Sequence, residues 1–185
     1  KINLYNGFIE DYSENIILNS CVRLTQIARF VINVYNSASN CENLCQRTNK
    51  IFENNDDCPL GCQVIRNNNI NECNSLKNIT DKIVCKAIVS FDSKYCNDII
   101  PRFVDVYAEG KLIKEDMALA CKKIMYVFNA IKQNKEGLLN EAYKIKTFEG
   151  GEEAKYLDKL YFKKEVSDND FDEGYANYCN LKYSL

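Results

Sequence analysis

Histidine and tryptophan are both absent from this 185-residue chain. Without histidine there is no side chain whose ordinary titration falls near neutrality, so Ser–His and Cys–His dyads are excluded. Histidine-held haem and the commonest zinc ligand go with them. A basic footprint is missing too. Lysine and arginine total 24 against 26 acidic residues, the formal net charge is −2 and the pI about 5.4, which speaks against nucleic acid as a partner. No apolar run approaches the roughly 20 residues of a membrane span. The best window, Ile16 to Tyr35, is interrupted by Asn19, Arg23, Arg29 and Asn33, so no membrane span is expected in the chain as given. Strand signals are almost missing, since no Asn-Gly turn joins alternating apolar runs, and the expected class is all-α.

With 46% hydrophobic and 27% charged residues, the chain suits a single globular domain over 1–185 with a core of its own. Its cysteines therefore need a separate explanation. They are Cys21, Cys41, Cys45, Cys58, Cys62, Cys73, Cys85, Cys96, Cys121 and Cys179. An even count at this density points to a disulfide framework in an oxidising compartment. Lys1 in place of an initiator methionine fits a removed signal peptide, and the expected location is secreted or cell-surface.

Cys41-x3-Cys45 and Cys58-x3-Cys62 are matched i, i+4 pairs, which lie on one helix face a turn apart. Two such helices in an antiparallel hairpin bring Cys41 opposite Cys62 and Cys45 opposite Cys58. Asp56 or Asp57 is the expected N-cap of the second helix, with Pro59 in its first turn. The same four cysteines are a candidate zinc or iron–sulfur set, although zinc sites prefer a tighter C-x2-C turn. The four cysteines resemble the twin C-x3-C hairpins of small mitochondrial intermembrane chaperones.

A second register competes with the first. Cys62 to Cys73 and Cys85 to Cys96 each enclose ten residues at an offset of 23, with Ile65 answering Ile88 and Leu76 answering Ile99. Periods of this size mark stacked supersecondary units. Pairing Cys62 with Cys73 and Cys85 with Cys96 suits that register and conflicts with Cys41–Cys62, and connectivity is not readable from spacing. The stretch over about residues 62–99 resembles cysteine-bearing short-helix repeats of uncharacterised secreted archaeal proteins. That resemblance implies a disulfide-rich helical module and brings no activity with it.

Flanking this middle are two apolar stripes. Ile17, Cys21, Leu24, Ala28, Val31 and Tyr35 recur at helical spacing, predicting a long helix over 12–35. Ile113, Met117, Ala120, Ile124, Val127 and Ile131 predict another over 112–149, continued by Leu138, Ala142 and Ile145 beyond a candidate break at Gly137 and stopped by Gly150-Gly151. Pro101 to Glu109 reads as a short helix between proline and Gly110. The predicted architecture is a disulfide-rich helical bundle: cysteine-rich helical repeats over 41–100 between two long amphipathic helices, then an aromatic segment over 152–185. Each stripe reads better as core than as a dimerising coiled coil, because ordered flanking charges are missing.

Candidate sites are few. Asp168, Asp170 and Asp172 suggest a calcium loop, but Glu173 and Cys179 stand where an EF-hand needs Gly and Glu. Asn78-Ile79-Thr80 is a glycosylation sequon, making Asn78 a possible acceptor. Tyr156, Tyr161, Phe171, Tyr175 and Tyr178 form an aromatic tail, either an interface or a last helix packed on the bundle. Adjacent acids such as Glu10-Asp11 and Glu152-Glu153 point apart on a helix and do not make an acid–base pair. No catalytic residue, cofactor or metal is expected. The composition favours a non-enzymatic secreted or cell-surface structural or interaction protein, with a protein partner or self-assembly, and an assembly or filament subunit falls within this class. The alternatives are a soluble carrier of a small apolar ligand and a cysteine-ligated metal protein.

Overall fold

The computed structural model describes residues 30–36, 39–48, 52–108, 111–145 and 157–164. This part is mostly helical. A helical segment at 30–34 leads into α1 (Cys41–Thr48), α2 (Asp57–Asn67), a 3₁₀ turn (Ile70–Ser75), α3 (Ile79–Ser90) and a second 3₁₀ turn (Tyr95–Asp98). A β-hairpin follows, β1 (Phe103–Ala108) and β2 (Lys111–Asp116), then α4 (Met117–Gln133), α5 (Gly137–Lys144) and a π-helical turn at Asp158–Phe162.

Local chemistry sets most helix ends. Asn40, Asn78 and Asp116 each lend a side-chain oxygen to backbone N–H groups in the first turn of α1, α3 and α4, satisfying donors that have no partner inside the helix. At the other ends, Asn68, Phe91 and Asn134 adopt left-handed backbone. Beyond α2 and α4 the next amides, Asn69 and Lys135, donate back to Val64 and Ala130 carbonyls, the bonding that closes a helix C-terminus.

The bridges are Cys41–Cys62, Cys45–Cys58, Cys73–Cys85 and Cys96–Cys121. The first two are the pairs expected of an antiparallel hairpin, here α1 against α2. The pairing of Cys62 with Cys73 and of Cys85 with Cys96 is overturned. Asn68 and Phe91 turn the chain out of each helix in left-handed backbone before the 3₁₀ turn, and Cys73 and Cys96 do not pair with the cysteine behind them. Each reaches forward to the next helix, α3 or α4. Cys21 and Cys179 lie outside the described residues. Even so, the 23-residue offset has a structural counterpart. Cys62 and Cys85 sit in helices, Asn68 and Phe91 both end them in left-handed backbone, and Leu76 and Ile99 both leave a 3₁₀ turn extended and buried.

Two helix expectations are corrected. Residues 101–109 hold no helix among those described, and 112–116 belong to β2 rather than to a long helix. The hairpin is antiparallel, with Phe103 opposite Asp116 and Ala108 opposite Lys111. Phe103, Val104, Val106, Tyr107 and Ile113 favour extended backbone. Arg102 reaches across to Asp116 at 3.1 Å, and the Met117 amide donates to the Arg102 carbonyl at 2.8 Å, so the ladder runs one pair past β2. The predicted second helix is thus two, α4 and α5, divided at Asn134. Of the predicted 12–35 helix, only residues 30–34 are described as helical.

The core is one cluster that combines aromatic rings with cystines. Phe30 packs edge-on against Phe52 and Phe128, each at 6.4 Å between ring centres. Cys58, Cys62, Cys73, Cys85 and Cys96 have no measurable exposure. No helix of the described residues is long and apolar enough to cross a membrane.

Candidate interaction site

The buried polar residues are the place to look for chemistry. Asp57, in the first turn of α2, accepts the Lys77 amide at 2.7 and 2.9 Å and the Asn78 amide at 2.6 Å. Asp81, in the first turn of α3, accepts the Glu53 amide at 2.8 Å and the Asn54 amide at 3.0 Å. Each carboxylate therefore holds the segment that enters the other helix, and α2 and α3 start side by side. Asp56 stands at the expected N-cap position of α2 but makes no side-chain cap, and Asp57 turns across the structure instead. Burial pushes the Asp81 carboxyl above its ordinary value, outweighing the two amides that favour its charged form. With every oxygen engaged by backbone, the pair is a clasp between helix starts.

The helix ends opposite are joined by α4. Asn129, fully buried, donates to the Ile88 carbonyl at 2.9 Å and to the Met125 carbonyl at 3.0 Å. One turn on, Lys132 donates to Asn68 Oδ1 at 2.5 Å and to the Val89 carbonyl at 3.5 Å. A lysine there meets the negative ends of α2 and α3 together, and burial lowers its pKa. The Tyr35 hydroxyl is different. It is buried against Phe128 with no hydrogen-bond partner among the described residues, and burial raises its pKa far above the ordinary value.

The sequence-derived candidates fare unevenly. Asn78 is half-buried as the N-cap of α3, its Nδ2 donating to Glu53 at 3.3 Å, and Thr80 of its sequon is buried. Tyr161 is half-buried, edge-on to Phe162 at 5.1 Å and packed against the core, as a packed last turn requires. Tyr156, Phe171, Tyr175 and Tyr178 lie outside the described residues, as do Asp168, Asp170 and Asp172. The eight described cysteines are bonded in pairs, so none of them has a thiolate to offer a metal. Among the described residues no group of three or more Cys, Asp or Glu is placed to hold one.

The feature that sequence reading missed is the hairpin with its base. Ile100 is 80% exposed and Phe103 56% exposed, with the Arg102 guanidinium 5.6 Å from the Phe103 ring centre. Large apolar side chains this exposed, next to an open strand, are features of a contact surface. The β-branched alternation of Val104 and Val106 was the available signal, masked by Pro101 at the segment's start.

Comparison with protein-family models, curated proteins and solved structures finds no match to this chain.

Proposed function

We propose that this chain is a non-enzymatic structural or interaction protein of an oxidising, extracytosolic setting, where it contributes to an assembly. The four paired cystines carry the reading. Each closes a loop of 12 to 25 residues, which stabilises by about 3 kcal/mol in the chain-entropy model, and such bonds persist where thiols are not kept reduced. The helix-plus-turn units around Cys62–Leu76 and Cys85–Ile99 support a modular, repeat-like build. The buried carboxylates support a structural role, because their oxygens are taken up by backbone amides. The exposed Ile100 and Phe103 support a protein partner or a second copy.

The test is alkylation and intact mass of the native protein, followed by sedimentation across a concentration series. Native protein that resists alkylation at these eight cysteines and forms assemblies, with itself or with a protein from its own surface extract, supports the reading. Eight alkylatable thiols in the native protein overturn the compartment and the role together.

A further inference from the structure

The β-hairpin offers an edge of defined chemistry. Because the Met117 amide bonds to the Arg102 carbonyl, Arg102 and Met117 are a hydrogen-bonded pair of the antiparallel ladder, and bonded pairs alternate along it. Val104, Val106 and Ala108 therefore direct their backbone groups toward β2. Phe103, Asp105 and Tyr107 direct theirs away, so that among the described residues β1 pairs with β2 alone and presents three amides and three carbonyls along its outer side. Only an extended strand complements such a row, and a two-stranded hairpin is of marginal stability by itself.

The two strands are not equal as edges. β2 carries Lys111, Lys114, Glu115 and Asp116, the charge pattern by which natural sheets protect an edge. β1 carries one charge, Asp105, in FVDVYA. Its approach is apolar and exposed at Ile100 and Phe103.

We infer that β1 is a self-association edge, pairing antiparallel with β1 of a second copy to make a four-stranded sheet. This rests on the assembly reading above and names its surface. A second copy fits because the strand is compatible with itself. The two-fold register centred on Val106 sets Asp105 of each copy opposite Tyr107 of the other, which keeps the two carboxylates apart. The register centred on Asp105 sets them face to face and is disfavoured. Two six-residue strands bury less than the roughly 1,200–2,000 Å² of a standard stable interface, so the contact is concentration-dependent.

The experiment compares the wild-type chain with Asp105→Pro by sedimentation velocity from micromolar to millimolar concentration. Proline at an outward position leaves the β1–β2 bonds intact and removes one donor from the edge. The expected result is reversible dimerisation of the wild type and a loss of at least tenfold in the variant's dimer affinity. Helical circular dichroism and the disulfide map should stay unchanged. Tyr107→Asp supplies a second variant: the same register sets the new carboxylate opposite Asp105 of the other copy, so it should weaken the dimer in the same direction without touching the backbone. If both fold and still associate like wild type, this edge is wrong while the assembly reading stands. If wild type remains monomeric at millimolar concentration, self-association is wrong, and assembly then depends on another protein.

Discussion

Asp57 and Asp81 hold each other's helices by the root: each accepts the amides that lead into the helix the other begins. Replacing either with asparagine keeps the shape but turns an N–H toward an amide that needs an acceptor. We expect Asp57→Asn and Asp81→Asn to cost about 1–3 kcal/mol each in urea unfolding at neutral pH. Because the two share one junction, the double variant should cost less than the two singles added together.

The pH dependence has opposite signs at two aspartates. Asp81 is raised from 3.8 by burial, so the folded state holds its proton longer than the unfolded chain does. Its contribution to stability is full below the ordinary carboxylate range and is lost as pH rises through the elevated value. Asp116 is lowered on balance: burial raises it, but the Arg102 hydrogen bond and the Leu119 and Ala118 amides outweigh that. Its contribution is present above the ordinary range and lost as pH falls through the depressed value. Carbon-detected NMR titration should place the Asp81 carboxyl midpoint above, and that of Asp116 below, the ordinary aspartate value.

Tyr35→Phe should be neutral or stabilising, by up to about 1–3 kcal/mol. It removes a buried hydroxyl that has no hydrogen-bond partner among the described residues and keeps the ring against Phe128. A loss of stability would mean that the hydroxyl has an acceptor in solution. Thermal unfolding monitored by near-ultraviolet circular dichroism reads the difference directly.

Two glycines make an internal control. A methyl on Gly61 would run into the ring of buried Phe52, whereas one on Gly137 meets nothing within 4 Å. Gly61→Ala is expected to destabilise by about 1–3 kcal/mol through overpacking. Gly137→Ala, at the first turn of α5, is expected to stabilise by about 0.4–1 kcal/mol by restricting the unfolded chain. Equilibrium denaturation of the two variants should move in opposite directions from wild type.

Peptide mapping of the unreduced protein should recover Cys73 joined to Cys85 and Cys96 joined to Cys121. A Cys62–Cys73 peptide would contradict the fold at its centre. Removing the Cys73–Cys85 bridge with paired serines should cost about 3 kcal/mol on the loop-entropy estimate.

What could be read from sequence was whatever a helix's own repeat dictates. The twin C-x3-C spacing placed Cys41 against Cys62 and Cys45 against Cys58 because both cysteines of each pair share one helical face. The stripe from Met117 to Ile131 was legible for the same reason. The bridges of Cys73 and Cys96 were not, since they depend on how the chain folds back after a 3₁₀ turn, which no periodicity encodes. The clasp was hidden likewise: Asp57 looks like a local cap, and only the arrival of residues 77 and 78 shows otherwise. At Pro101 a proline that opens helices in many settings precedes a strand here, and the β-branched pattern behind it was the truer guide.

The order of the cystines along the chain bears on how the molecule is made and broken. Among the described residues no bridge straddles another; one is nested within its neighbour, and the rest follow in series. Each therefore becomes closable as soon as its own second sulfur is available in the growing chain, without waiting for distant chain. A reductant that opens one link frees a single short loop and leaves the remaining links fastened, so chemical damage stays where it begins.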